Sequence, residues 1–175
     1  ALSLCTLSAA AQDSDTFKSA AAGFSLKKPA GWRFDAREPV TAEALQKAFE
    51  QPATVSLVGL TRDEAFGNFG VTLIPRRENL EKASAKQILE LLVMPGLKRR
   101  FPDFALESLQ DAKLSGLATA EYVATYTVRS TAGSMPVRVR AILVPRGKFF
   151  FLIDMTAPVA GYEQFAKEFE RVLSS

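Results

Sequence analysis

The C-terminal third of the chain has the clearest pattern of hydrophobic and polar positions. Along residues 119–128 every second side chain is small, aliphatic or aromatic: Ala120, Tyr122, Ala124, Tyr126 and Val128. A loop containing Gly133 leads to a second alternating run over residues 137–143, and a tight turn leads to an apolar run over residues 149–153. These short connections predict an antiparallel meander of three strands. Because the third run is apolar at every position, it predicts a sheet covered on both faces.

Weaker alternation predicts further strands in the preceding part of the chain. They cover residues 24–27, 32–34, 54–60 and 69–74, with an edge strand over residues 104–114. No internal repeat, low-complexity run or linker follows residue 22. The pattern therefore predicts a single α+β domain over residues 23–175. We expect an α/β/α sandwich in which helices cover both faces of a central, largely antiparallel β-sheet.

Three helices complete this sandwich. A short amphipathic helix is predicted over residues 42–50. Ser84 and Gln87 have the spacing of a capping box, which predicts the start of a second helix. We expect Pro95 to split that helix, because a proline inside a helix removes a backbone donor and clashes with the preceding turn. The last helix is expected to begin at Pro158, and its apolar residues recur at helical spacing.

The first residues have the features of an export signal. Residues 1–11 read ALSLCTLSAAA, an uncharged apolar run that ends in small residues. This composition predicts the tail of a signal peptide cleaved after about Ala11, with a disordered N-terminus as the alternative. Residues 12–22 are predicted to be a flexible lead-in. Leu4 precedes Cys5, where a lipoprotein signal needs a small residue, so no lipid anchor is expected. The predicted location is periplasmic or extracellular.

Composition narrows the chemistry. The chain has 22 Lys and Arg, 19 Asp and Glu, one Cys and no His. Without histidine, triads and metal sites built on imidazole are excluded, and one cysteine excludes an internal disulfide. A net charge of +3 is too small for a dedicated nucleic-acid binder. No phosphate-binding, nucleophile or calcium motif is present. We therefore expect no metal, no cofactor, no catalytic residue and no enzyme.

Basic residues form the first candidate site. Arg138 and Arg140 share a face of one predicted strand, Arg129 lies near the end of its neighbour, and Lys98, Arg99 and Arg100 form a cluster. Together these residues are a candidate surface for an anion or a protein partner, because guanidinium groups suit carboxylates and phosphates. The alternative, which we favour, is a solvated face whose arginines pair with Glu or Asp.

Three aromatic residues and one carboxylate form the second candidate site. Trp32, Tyr122 and Tyr126 are candidate ligand-facing residues, although packing in the core explains each of them equally well or better. Asp154 follows the apolar run 149–153. A buried carboxylate there would be a candidate site. We favour the alternative that Asp154 lies at the end of the strand, where solvent reaches it.

The two ends of the domain carry a family resemblance. "FSLKKPAGW" is an aromatic strand followed by a Pro-x-Gly-Trp turn, and "KFFFLIDMTAPVAGYEQFAKEFERVLSS" is an aromatic strand, a Thr-Ala-Pro step and a final amphipathic helix. These segments resemble the PsbP-like superfamily. The resemblance implies an α/β/α sandwich around an antiparallel sheet, without catalytic residues.

The resemblance, the leader and the missing catalytic motifs lead to two functional hypotheses. The first is a non-enzymatic exported domain that binds a protein partner or assists assembly of an envelope complex. The alternative is a module that binds an anionic surface, a lipid or a small ligand through the basic clusters, with peripheral contact to a membrane. The sequence leaves the partner and the oligomeric state open.

Overall fold

The computed structural model describes residues 15–35, 40–50, 54–62, 66–131 and 133–174. The predicted signal-peptide tail, with Cys5, lies outside the described residues. The strands are β1 Thr16–Ser19, β2 Phe24–Lys27, β3 Arg33–Phe34, β4 Val55–Thr61, β5 Asn68–Pro75, β6 Ala105–Leu114, β7 Leu117–Ser130, β8 Gly133–Arg146 and β9 Phe149–Pro158. The helical segments are α1 Ala42–Glu50, a 3₁₀ turn Glu78–Leu80, α2 Ala85–Ile88, a π-helical turn Leu89–Val93, α3 Met94–Arg100 and α4 Tyr162–Leu173.

The described strands form one large sheet and one small hairpin. The large sheet has the order β3-β4-β5-β9-β8-β7-β6, and each neighbouring pair is antiparallel. Within the described residues, strands β1 and β2 pair only with each other. The predicted meander is confirmed as β7-β8-β9, and the α+β class with a largely antiparallel sheet is confirmed with it. The middle position of the described sheet is taken by β9, the last strand along the chain, which lies between β5 and β8.

Strand β9 is buried on both faces, as its unbroken apolar run predicts. Phe151 and Met155 point into the core on one face, and Phe150 points into the core on the other. Phe150 and Met155 have no exposed surface. Burying apolar side chains on both faces removes a large area from water, which is the main favourable term in folding. Both faces of the sheet must therefore be covered.

The first face is covered by α4 and the β1–β2 hairpin, and an aromatic stack lies at its centre. The Trp32 ring stacks on Phe69 with 4.1 Å between ring centroids, and Phe69 stacks on Phe169 of α4 at 5.7 Å. Phe165 packs edge-on against Trp32 at 5.9 Å. The apolar stripe of α4 thus meets aromatic residues of the sheet, as the helical spacing of its sequence predicts.

The second face is covered by α2, the π-helical turn and α3. The predicted capping box is present: Ser84 accepts a hydrogen bond from the Gln87 backbone, and the Gln87 side chain accepts one from the Ser84 backbone. The predicted split at Pro95 does not occur. Instead the helix widens, and the Met94 N–H donates to the carbonyl of Leu89, five residues earlier. The wider turn brings Pro95 into the first turn of α3, where a missing N–H is tolerated.

Two predicted boundaries are wrong. Residues 16–19, predicted to be part of a flexible lead-in, form β1, because Phe17 packs beside Phe34 at 6.1 Å and the strand pairs with β2. Helix α4 begins at Tyr162 rather than Pro158, because β9 continues to Pro158 and Gly161, at φ 113°, turns the chain before the helix. A φ in this range favours glycine. No helix in the described part of the chain is long and apolar enough to span a membrane.

The aromatic stack on the first face gives a stability prediction. Trp32→Ala should lower the free energy of unfolding by about 3–5 kcal/mol, since it removes a ring that is only 3% exposed and leaves a cavity. Urea unfolding followed by circular dichroism measures the change. The control is Phe66→Ala, which removes a ring that is 45% exposed and should cost less than about 1 kcal/mol. Equal costs for the two variants would contradict a core role for Trp32.

Candidate ligand-binding groove

The helical segment over residues 85–100 does not cover the whole second face of the sheet. Beside it lies a cavity of about 660 Å³ between α3 and strands β5, β9, β8 and β7. An adjoining cavity of about 740 Å³ continues past the end of α3. Five residues line both cavities: Leu97, Arg100, Tyr126, Asp154 and Thr156. The two cavities therefore form one continuous depression, which we call the α3 groove.

The groove exists because α2 packs mainly on strands β6, β7 and β8 of the second face. There Ile88, Leu89 and Met94 are buried in one cluster with the small residues Ala120 and Ala124. Across the sheet, in the same cross-strand rows or between them, other side chains line the cavity: Thr72, Val139, Leu152, Asp154 and Thr156. A concave, mostly apolar site with a few converging polar groups is the usual form of a small-molecule site.

Asp154 lies on the floor of the groove. Its Cα partners in the neighbouring strands are Gly70 of β5 and Ala141 of β8. Both neighbours are small, and a Cβ atom at Gly70 would lie 2.8 Å from the Asp154 Oδ1 atom. Since such a contact is too short, the glycine leaves the room that the carboxylate occupies. The Asp154 side chain is therefore partly buried between the strands and still reaches the cavity.

The environment of Asp154 disfavours its charge. Burial raises the pKa of the Asp154 carboxyl from 3.8 to about 6. Among the described residues, the structure shows no hydrogen bond and no ion pair to this carboxylate. At neutral pH the group is mostly ionised and lacks the partner that a buried charge normally has. A strongly perturbed carboxylate in a cleft is a typical feature of a binding or catalytic site.

Two tyrosines form the wall next to Asp154. Tyr122 pairs with Ala141, so it lies in the same cross-strand row as Asp154. Burial raises the pKa of Tyr122, and the Asp154 carboxylate and Tyr126 raise it further. Burial also raises the pKa of Tyr126, against the effect of a hydrogen bond with Thr156. Both phenols are therefore neutral near neutral pH, and the structure places both predicted tyrosines in the groove wall.

Two arginines line the same cavity without pairing with Asp154. Arg77 donates a hydrogen bond of 3.0 Å from Nη2 to the carbonyl oxygen of Ala48. Arg100 lies over the ring of Phe101, 5.4 Å from its centroid, and Phe101 in turn stacks on Tyr126 at 4.0 Å. Both guanidinium groups contact other residues, and neither forms an ion pair with the Asp154 carboxylate on the floor of the groove.

The predicted basic surface does not form as a unit. Arg138 and Arg140 lie on the opposite face of the sheet, below α4. The Arg138 Nη2 atom is 2.6 Å from Glu107 Oε2, and the Arg140 Nη2 atom is 2.9 Å from Glu121 Oε2. Arg140 also pairs with Glu170 of α4. Cross-strand and helix carboxylates thus neutralise these arginines, as in the alternative that the sequence favoured.

The remaining basic residues are divided by α3. Lys98 and Arg99 are exposed and do not line the groove, whereas Arg100 lines both of its cavities. Arg129 lines the second cavity, beside Asp103. A hydrogen bond from Thr127 holds the pKa of the Asp103 carboxyl below its usual value. The sequence clusters therefore separate into groove residues and outward-facing residues.

Trp32 is not a ligand-facing residue. Its ring is enclosed in the stack on the first face, and its Nε1–H donates a hydrogen bond of 2.6 Å to Glu168 Oε2. The other oxygen of Glu168 lies 3.1 Å from Arg62 Nη1. The indole therefore has its polar group satisfied and almost no surface left, so the packing interpretation of Trp32 is correct.

The sequence interpretation placed Asp154 at the end of a strand, and this interpretation is wrong. Strand β9 continues four residues beyond it to Pro158. The sequence pattern does contain an indication of its true position. Phe150, Leu152, Asp154 and Thr156 are every second residue of the strand, so they share one face of the sheet. That face is covered by a helical segment remote in sequence, so the local pattern does not show how far Asp154 is buried.

In the described part of the chain, no group of three or more residues of the metal-ligating types His, Cys, Asp and Glu lies close enough together to hold a metal ion.

The fold, but not the sequence, matches known proteins. No family model and no curated protein matches this sequence. Cyanobacterial PsbP (CyanoP) from Synechocystis sp. PCC 6803 has a similar structure, with a TM-score of 0.57 and 12% identity over 91% of this chain and 89% of that chain. A protein from Bacteroides thetaiotaomicron gives a TM-score of 0.56 and 16% identity over 92% of this chain and 47% of its own.

A third similar structure is LpqN, a protein involved in cell envelope biogenesis of Mycobacterium tuberculosis. Its TM-score is 0.50 and its identity 12%, over 86% of this chain and 79% of that chain. The chain thus has a PsbP-like fold, as the resemblance at its two ends implies. At these identities the likeness shows the fold alone.

The unpaired carboxylate gives a prediction about stability and pH. Because the pKa of Asp154 is higher in the folded chain than in the unfolded chain, protonation favours the folded state. This stability is present below about pH 4 and is lost as the pH rises through about 6. Asp154→Asn removes the charge, so it should stabilise the fold by about 1–3 kcal/mol at pH 7.5 and by much less at pH 4.

Urea unfolding of the Asp154→Asn variant and the unmodified chain at both pH values measures this difference. The control is Asp111→Asn, which changes an exposed carboxylate on β6 and should alter stability little at either pH. A variant that is destabilised equally at both pH values would mean that Asp154 has a stabilising partner in the folded chain.

Proposed function

We propose that this chain is a non-enzymatic binding domain that works outside the cytoplasm and holds a small ligand in the α3 groove. The observation that carries this proposal is the groove itself, with a partly buried carboxylate on its floor and two tyrosines in its wall. The basic surface on Arg138 and Arg140 is a weaker candidate, because carboxylates already neutralise both arginines.

The groups in the first cavity favour binding over catalysis. Its titratable residues are one carboxylate, two tyrosines and two arginines. General acid–base catalysis needs a donor and an acceptor whose pKa values lie near the working pH. The pKa shifts of Tyr122 and Tyr126 move both phenols further from that range. Asp154 is left as a single ionisable group, suited to holding a ligand.

Gly96 offers a direct way to close the groove. It lies on α3, lines the first cavity, and has no atom within 4 Å of the position where a Cβ would be. A Cβ there meets no neighbouring atom, and because Gly96 lines the cavity we expect a larger side chain to narrow it. Replacing a helical glycine also stabilises the helix, so the fold should be kept.

Binding of the neutral fluorophore N-phenyl-1-naphthylamine tests the proposed ligand site. The unmodified chain should bind it saturably with enhanced fluorescence, and Gly96→Phe should weaken binding by at least about tenfold, because the ring occupies the groove. Lys98→Phe, which adds the same ring to an exposed position of α3, should leave binding unchanged. Equal binding by all three proteins would contradict the proposed site.

Other observations support a location outside the cytoplasm and, as a second candidate function, binding of a protein partner. Residues 1–11 have the composition of a signal-peptide tail, and the structurally similar LpqN is involved in cell envelope biogenesis. Leu91 and Leu92, in the π-helical turn beside the groove, are 64% and 44% exposed. Exposed apolar residues at the edge of a site suit a protein partner, which is our second candidate.

One experiment in cells addresses both points. A photocrosslinking amino acid is placed at Leu91, or as a control at Val159, which is 47% exposed on another side of the molecule. The chain should fractionate outside the cytoplasm, and the Leu91 position alone should give a discrete protein adduct. Recovery in the cytoplasm would overturn the location, and identical adduct patterns at the two positions would overturn the partner site.

A further inference from the structure

The Asp154 carboxylate differs from the other partly buried carboxylates of the domain. Glu121 pairs with Arg140 at 2.9 Å, and Glu168 pairs with Arg62 at 3.1 Å and accepts the Trp32 indole N–H. Asp154 is likewise partly buried, and no described residue donates to it. A buried ionised carboxylate without a partner is destabilising. A cationic group that enters the groove could therefore supply the partner that no described residue gives Asp154.

The strands next to Asp154 keep the approach to it open. The cross-strand row through this position reads Tyr122, Ala141, Asp154 and Gly70 from β7 to β5. The two immediate neighbours have one methyl group or no side chain. A ligand group of the size of an ammonium ion can therefore reach the carboxylate oxygens from the groove.

The walls above the carboxylate suit a cation with an apolar body. Tyr122, which is only 3% exposed, and Tyr126, which stacks on Phe101, line the groove beside Asp154, and aromatic rings attract ammonium groups. Val139, Leu152 and Leu97 supply apolar surface beside them. An ammonium group on the floor would thus have a carboxylate and aromatic rings near it, while the rest of the ligand lies against aliphatic side chains.

The other charged residues of the groove do not reverse the preference of Asp154 for a cationic ligand. Arg77 is bound to the carbonyl of Ala48, Arg100 lies over Phe101, and Asp103 in the second cavity is held by Thr127. Arg129, also in the second cavity, lies near the Asp103 carboxylate. An anion drawn in by the arginines would meet the Asp154 carboxylate at the floor. The charge on the floor, between the strands, is negative, and no described residue forms a hydrogen bond or an ion pair with it.

We infer that the α3 groove binds an organic ammonium ion, with the protonated amine on Asp154 and an apolar or aromatic body between Tyr122, Tyr126 and Leu152. This inference rests on the proposed ligand-binding function and names the ligand's chemical class. It assigns Asp154 the role of a charge-recognising residue and the two tyrosines that of flanking surfaces.

Three probes of similar shape and different charge test the inference: 2-phenylethylammonium, 2-phenylethanol and phenylacetate. Their dissociation constants are measured by NMR titration of the isotope-labelled chain at pH 7.5. The cation should bind tightest and the anion weakest. Asp154→Asn should weaken binding of the cation by at least about tenfold and leave 2-phenylethanol unchanged. Asp111→Asn, the exposed control, should change neither.

The outcomes separate this inference from the proposed function. If Asp154→Asn binds the cation as tightly as the unmodified chain, or if phenylacetate binds tightest, the ammonium inference is wrong. The proposed ligand-binding function of the groove then still stands, provided that Gly96→Phe weakens binding of N-phenyl-1-naphthylamine as predicted above. If none of the three probes binds, the ammonium inference is overturned, and the proposed function falls only if N-phenyl-1-naphthylamine also fails to bind. Unchanged binding of 2-phenylethanol by Asp154→Asn also shows that the variant is folded.

Discussion

Burial of β9 on both faces is the constraint on which the rest of this structure depends. The strand lies at the centre of the seven-stranded sheet formed by the described residues, between β5 and β8. Phe150 and Met155 point to opposite faces and are both fully covered. One layer of helix cannot cover both faces, so the domain needs α4 and the β1–β2 hairpin on one side and the segment 85–100 on the other.

The two covering layers differ, and this difference produces the groove. On the first face, the aromatic stack of Trp32, Phe69 and Phe169 fills the space between sheet and helix. On the second face, α2 packs mainly on β6, β7 and β8, and the groove lies between α3 and strands β5, β9, β8 and β7. A polar residue on β9 is tolerated there, because a ligand or solvent can reach it. Asp154 occupies that position, and its shifted pKa reflects an environment that is deep without being closed.

Local patterns predicted the parts of the fold that depend on local physics. The alternation in β7 and β8, the apolar run of β9 and the Ser84 capping box concern residues close in sequence, and all are present as expected. The π-helical turn was not predictable, because it depends on how Pro95 is accommodated against the sheet. Strand β1 was missed because its residues are mostly polar and its packing rests on one aromatic residue, Phe17.

The candidate site was only partly predictable for a related reason. Tyr122 and Tyr126 share a face with alternating small residues, so their direction could be inferred. The role of Arg140 could not, because its partners Glu121 and Glu170 come from a neighbouring strand and a distant helix. Asp154 looked like a strand end because local sequence gives no sign of the helical segment above it. Sites assembled from remote elements require knowledge of the whole topology.

The binding role of the groove depends on Asp154 being a partly buried carboxylate without a partner among the described residues. The most direct measurement is its titration, followed by the carboxyl carbon resonance of Asp154 by NMR as a function of pH in the chain without ligand. We expect a midpoint near pH 6. A midpoint near or below pH 4 would contradict it, since the carboxylate would then be solvated or paired with a cation in the folded chain.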